Sequence, residues 1–165
     1  MTSGWRPMRP DDLAAVEAIA ARVHEDYPED PAVFAERLRL WPEGCLIYER
    51  DGVAIAYVLS HPGRAFAPPS LNALLGALPE PPTTYYIHDL ALLPETRGKG
   101  AGSAVVAILL DRARRAGCPE VSLVAVNDST GFWSRHGFAP VAHPGLDAKL
   151  RSYDEAARYM VRPLG

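Results

Sequence analysis

The sequence is poor in the residues that would mark a special class of protein. It has two cysteines, Cys45 and Cys118, with neither the spacing of a disulfide framework nor that of metal ligands. Ordinary buried thiols are expected, and no metal site. No apolar run nears the roughly 20 residues that a membrane span needs; the longest, 104–110, is far shorter. The opening Met1-Thr2-Ser3-Gly4-Trp5-Arg6-Pro7 lacks the apolar stretch of a secretory leader. A cytoplasmic protein with no membrane partner is expected. Lysine is nearly missing: of 17 basic residues only Lys99 and Lys149 are Lys, a bias that reads, with the abundant Ala and Pro, as GC-rich bacterial coding. Positive charge is not in excess. The net charge of −3 gives no reason to expect a nucleic-acid partner.

What is present is enough for one core. The 165 residues are 48% apolar, which favours a single domain over 1–165. A short strand near Trp5 is followed by Pro10-Asp11-Asp12, which opens a helix with acid in its first turn. Leu13, Val16, Ile19, Ala20 and Val23 give that helix an apolar face. Asp30-Pro31 is an N-cap and N1 pair for a second helix bearing Phe34, Leu38 and Trp41. Two apolar runs then flank Asp51-Gly52, a dipeptide that takes positive φ readily, and predict a hairpin over 45–59. The proline-rich stretch 61–84 holds one helical patch, 71–78, and a connection of that length is usually functional or mobile. Beyond it the pattern predicts a strand over 85–93, a helix over 102–116, a strand over 121–126, a short helix over 129–136, and strands near 138–141 and 159–162. The fold class is α/β.

The most informative segment is Leu90-Ala91-Leu92-Leu93-Pro94-Glu95-Thr96-Arg97-Gly98-Lys99-Gly100-Ala101-Gly102-Ser103. Three alternating glycines between a strand and a helix let successive N–H groups converge and a ligand approach the backbone. The helix start adds unpaired N–H groups and the positive end of its dipole. With Arg97 and Lys99, this makes a pyrophosphate site. A P-loop is excluded, because Lys99 precedes Gly100 and no Lys-Ser/Thr pair follows. A dinucleotide fingerprint fits poorly, because the glycines run G-x-G-x-G and stand off from the strand by Pro94-Glu95-Thr96-Arg97. A purely structural glycine turn is the remaining alternative.

Arg97-x-x-Gly100-x-Gly102 after Leu90-Ala91-Leu92-x-Pro94 resembles the acetyl-CoA motif of the GNAT N-acetyltransferase superfamily. Asn127 followed by Phe132-Trp133-Ser134-Arg135-His136-Gly137-Phe138 resembles that family's second signature, an aromatic pair before Gly-Phe. The order of elements fits as well, so the resemblance covers nearly the whole chain. It implies a mixed, mostly antiparallel sheet of about six to seven strands flanked by helices and splayed at a central parallel pair. It also implies acetyl transfer from acetyl-CoA to a primary amine, the acceptor being a small molecule or a protein; a homodimer is compatible with it. Carried over by position, Leu90, Ala91 and Leu92 would offer backbone groups to the pantetheine arm, as an added strand does. Arg97, Gly98, Lys99, Gly100, Ala101, Gly102 and Ser103 would take the pyrophosphate. Asn127 would contact the pantetheine amides, or merely cap the short helix in competition with Asp128 and Ser129.

The chemistry needs a base for the amine and a donor for the developing oxyanion, for which the Leu92 N–H is a candidate. Many family members place a tyrosine acid second in the aromatic pair. Here that position is Trp133, whose indole N–H is not a usable acid. A thiolate leaves tolerably without one. An acetyl-CoA-binding module without catalysis is therefore the alternative reading. In a regular strand Tyr86, His88, Leu90 and Leu92 share one face and Ile87, Asp89 and Ala91 the other. His88 is the expected base, since histidine titrates near neutrality. Tyr86 is a second candidate, as acid or substrate contact. Asp89 faces away unless a bulge turns it. His24, His61, His136 and His143 show no partner spacing and read as surface or loop residues.

Overall fold

Seven strands form one sheet in the computed structural model, which describes residues 3–98, 100–126, 129–151 and 156–165. In chain order the elements are β1 (Ser3–Pro7), α1 (Leu13–Val23), α2 (Pro31–Leu40), β2 (Cys45–Arg50), β3 (Val53–Gly63), β4 (Thr84–Leu92), α3 (Ala101–Arg115), β5 (Glu120–Ala125), α4 (Thr130–Arg135), β6 (Ala139–Pro140), α5 (Asp147–Arg151) and β7 (Arg158–Pro163). The strand order is β1-β2-β3-β4-β5-β7-β6. Every neighbouring pair is antiparallel except β4 and β5. The expected mixed sheet with a central parallel pair is what the chain forms.

The sheet is buried on both faces, which is why its strands read as nearly continuous apolar runs. On one face Val105, Val106, Leu109 and Ala113 of α3 meet Leu46, Val58, Tyr85, Ile87 and Leu123. On the other, Val16 and Ile19 of α1 with Phe34 and Leu38 of α2 meet Ile47, Tyr57, Leu59, Ala91 and Leu93. Both cysteines are buried, and burial pushes the Cys45 thiol up to about 12 and that of Cys118 to about 11. Asp51 and Gly52 take the left-handed turn the hairpin required.

The regular alternation expected along β4 does not hold. Leu59 of β3 pairs with Asp89 while its next residue, Ser60, pairs with Ile87, so β4 carries one extra residue there. A bulge of this kind shifts the side-chain parity of everything beyond it. Ile87, which a regular strand would set opposite to Leu90, packs with it on the α3 face. His88 and Asp89, neighbours in sequence, both bond partners from the α1–α2 side.

The connection between β3 and β4 also departs from expectation. No helix forms over 71–78; the segment is a series of turns, with Asn72 and Gly76 at positive φ. Its backbone N–H groups are taken by side chains instead of by helical carbonyls. Leu75 and Gly76 donate to the two oxygens of Glu36 at 2.7 and 2.9 Å, and Asn72 donates to Glu29 at 2.9 Å. Arg37, fully buried, bonds Glu36 at 2.8 Å and donates to the Ala73 carbonyl at 3.1 Å. Glu36 and Arg37 thus hold the loop against α2.

Candidate active site

The parallel pair joins only Tyr85, Tyr86 and Ile87 to Val121, Ser122 and Leu123, and past that point β4 and β5 part. The β5-facing backbone of residues 88–92 is left without a strand partner. A groove of about 520 Å³ fills the gap, reached by side chains from both faces of the sheet. At one end it meets the glycine loop and the start of α3. Gly98 and Gly100 stand at φ +78° and +79°, where L side chains are strained. Gly100 is also the N-cap of α3 and, being glycine, offers no side chain to cap it. The first turn of that helix, Ala101 to Ser103, lines the groove, the arrangement that suits an anion. Gly102 serves packing instead: a Cβ there would come within 2.9 Å of the Phe132 ring. Arg97 bonds the Leu92 carbonyl at 3.2 Å, and Ser103 lies 3.3 Å from His136.

At the other end stand two histidine–carboxylate pairs. His24, at the C-terminus of α1, bonds Asp89 at 2.6 Å, and Asp89 also accepts from the Tyr57 hydroxyl. His88 donates to Glu29, in the α1–α2 connection, at 2.9 Å. All four side chains are largely buried. Burial disfavours the charge on Asp89, but His24, His88 and the Tyr57 hydroxyl outweigh it and hold the carboxyl below its usual range. Glu29 is likewise lowered against its burial, chiefly by the bond from His88. Burial opposes charge on His24 too, yet the Asp89 charge and hydrogen bond raise its pKa above the ordinary value. A smaller cavity of about 60 Å³ adjoins this cluster, lined by Glu29, His88, Asp89, His24 and Tyr86 among others.

The family model of the acetyltransferase (GNAT) family matches residues 11–138. This chain belongs to that family. The fold of this GNAT chain recurs in solved structures of low sequence identity. The GphF GNAT-like decarboxylase in complex with isobutyryl-CoA is 21% identical, with a TM-score of 0.82 over 98% of this chain and 99% of that one. Ard1 from Thermoplasma volcanium is 21% identical, with a TM-score of 0.75 over 100% and 99%. Arabidopsis thaliana Naa50, in complex with the bisubstrate analogue CoA-Ac-MVNAL, is 14% identical, with a TM-score of 0.71 over 99% and 100%. No curated protein matches the chain.

Most residues singled out in the sequence of this GNAT chain meet at the groove. Leu90, Leu92, Arg97, Gly98, Gly100, Ala101, Gly102, Ser103 and His88 all line it. Ala91 does not: its side chain is buried in the α1–α2 core, so only its backbone is available. Tyr86 lines the smaller cavities beside the groove and not the groove itself. Lys99 and Asn127 lie outside the described residues. Because of the bulge, His88 does not share a face with Leu90 and Leu92. Asp89, expected to face away, turns into the cluster. His24 is no surface residue but half of an ion pair, and His61 is fully buried on β3. His136 lines the groove, and His143 stacks on Phe66 at 4.6 Å. Sequence spacing could not have found His24: its partner is 65 positions away. Trp133 is 6% exposed and sits edge-on to Phe132 and Phe138, as a packing residue would.

Proposed function

We propose that this protein is an N-acetyltransferase, acting as one domain over 1–165, that moves the acetyl group of acetyl-CoA to a primary amine. The observation that carries the reading is the groove. It runs from a helix start with glycine at its N-cap, behind two positive-φ glycines, to the buried His24, His88 and Asp89. The residues fit the donor at each stage. Arg97, Gly98, Lys99, Gly100, Ala101, Gly102 and Ser103 supply backbone and charge for the pyrophosphate. The edge of β4 at Leu90, Ala91 and Leu92, which has no strand partner toward β5, supplies backbone groups for pantetheine, and Asn127 is taken from the sequence as the contact for its amides. When bound, acetyl-CoA supplies the thioester carbonyl and a thiolate leaving group.

The chain's own residues then have three tasks. Asp89 and Glu29 draw the cationic acceptor into the small cavity. His88, oriented by Glu29, collects the amine proton, directly or through a water. Tyr86 stands beside His88, ring centroids 6.4 Å apart, where it contacts the acceptor. The thiolate leaves unassisted or is protonated by solvent, since Trp133 offers no acid.

Acetyl-CoA turnover against a panel of amines tests this, with isobutyryl-CoA as a second donor because GphF binds it. The expected result is acetyl transfer with kcat/KM climbing with pH across the neutral range. His88→Gln, which keeps a donor for Glu29, should lower kcat/KM by about 10²-fold or more with CoA binding unchanged. The second reading is a module that binds acetyl-CoA without catalysis, favoured by the buried Trp133 where an acid would stand. CoA-induced stabilisation without turnover on any amine would establish it over the first. Sedimentation of the same samples decides between monomer and homodimer.

A further inference from the structure

Next to the histidine–carboxylate cluster lies a second cleft, of about 310 Å³, that the donor reading leaves unused. Its walls are mostly apolar: Pro62, Pro69, Leu75, Ala77, Leu78 and Pro79 are among them. It adjoins the small cavity at Tyr86, the residue that lines both. We propose that this cleft holds the apolar tail of the acceptor, so that the substrate is a primary amine on an alkyl or aryl body and not a polyamine. The inference rests on the transferase reading and names its acceptor class.

Three observations point to that occupant. The first is placement. His88, Tyr86 and His61 form a row of rings on one face, with centroid separations of 6.4 and 5.7 Å. An amine nitrogen held between Glu29 and Asp89 therefore has its first few carbons beside Tyr86 and the rest against His61. The second is charge. His61, on the cleft wall, donates from Nδ1 to the Pro62 carbonyl at 2.8 Å and is kept neutral by its burial. The one charged residue among those lining the cleft is Arg64, which is exposed. Nothing there pairs with a second ammonium, and Arg64 repels one. The third is rigidity. The segment 72–76, which brings Leu75 to the cleft wall and runs into Ala77 and Leu78, is held by Glu36, Arg37 and Glu29 through four bonds to its backbone. Buried ions used to fix a loop above an apolar cleft lower the ordering cost of filling it.

The test is a homologous series of n-alkylamines from propylamine to octylamine, with phenethylamine and spermidine. Each methylene adds roughly 1.3 Å of reach, so the tail passes Tyr86 after about four or five carbons. Beyond that length kcat/KM should rise about threefold to fourfold per carbon, with phenethylamine high in the series and spermidine near the bottom. Ala77 is exposed at the cleft, and Ala77→Phe fills it from the solvent side without touching the core. That variant should reduce the octylamine-to-propylamine ratio of kcat/KM at least tenfold. Calorimetric titration with octylamine reads the cleft independently of turnover. Binding weakened by Ala77→Phe supports the assignment even where no amine is acetylated, an outcome that would remove only the transferase reading. A flat chain-length profile with spermidine or an N-terminal peptide preferred overturns it. So does octylamine binding equally to both proteins.

Discussion

Acid should unfold this protein in part through His61. The ring is 2% exposed, Nδ1 is bonded to Pro62, and Nε2 is buried with no hydrogen-bond partner among the described residues. Burial, opposed by the bond to Pro62 and reinforced by nearby His88 and Arg37, pushes its pKa down to about 3. An unfolded histidine takes a proton near pH 6.5, whereas this one resists until about 3. The folded state therefore has the full benefit of this group above pH 6.5 and loses it as pH falls toward 3. The slope is about 1.4 kcal/mol per pH unit, so lowering the pH from 7 to 5 removes about 2 kcal/mol. Urea unfolding of wild type and His61→Gln at both pH values isolates the effect. Gln keeps a donor for the Pro62 carbonyl and does not titrate. Groups common to both proteins cancel in the difference between them, including His24, whose raised pKa acts in the opposite sense. The wild type should lose about 2 kcal/mol more than the variant. Equal losses would show that His61 is protonated in the folded state and that the reasoning from burial is wrong.

Three further outcomes follow from the site. Gly100→Val places a β-branched residue at φ +79°, which should cost about 1–3 kcal/mol and abolish the CoA-induced rise in melting temperature; a preserved rise refutes the loop assignment. Trp133→Phe should keep most of kcat, whereas Trp133→Ala should cost roughly 3–5 kcal/mol by opening a cavity, and a large kcat loss in a stable Phe variant would mean that the indole N–H does chemistry. Asp89→Asn breaks a buried ion pair, at about 3–5 kcal/mol. The stabilisation that His24 draws from Asp89 is full below pH 6.5 and is lost as pH rises through the raised folded pKa, so the Asn variant should lack that decline in denaturation curves taken at increasing pH; an unchanged decline would disprove the coupling.

The parts of this molecule that could be read from sequence are those set by local rules. Asp51-Gly52 marks its hairpin because the turn needs positive φ, and the α3 face from Val105 to Ala113 shows the helical period. The glycine loop is legible for the same reason, although only Gly98 and Gly100 serve the backbone while Gly102 makes room for Phe132. What failed depends on contacts between distant residues. The extra residue in β4 is visible only against Leu59 and Ser60, and it alone decides where His88 and Asp89 point. The helix expected over 71–78 has adequate local propensity, but Glu36 competes for the N–H groups that a helix would use internally. Alternation and propensity describe one segment at a time, and both features are settled by a second segment.

That same bulge explains how one strand serves two ends of the proposed reaction site. In a regular β4, a residue next to the open edge used by a donor could not share its neighbour's face, and only one of His88 and Asp89 could reach the α1–α2 side. With one residue added, both do, and each meets a partner from the connection between α1 and α2. Burying Asp89 and Glu29 there is not an economical way to stabilise a fold, since well-packed apolar residues would serve as well or better. The pairing histidines are what set these ions apart from Glu36 and Arg37, which pair with each other and are committed to holding a loop. When His24 gives up its proton, a carboxylate at the groove end loses its counter-charge, and a cationic acceptor can supply it. On the proposed reading, a site that attracts an ammonium once His24 has lost its proton is matched to amine acylation, where the same nitrogen must first bind as a cation and then react as a neutral base.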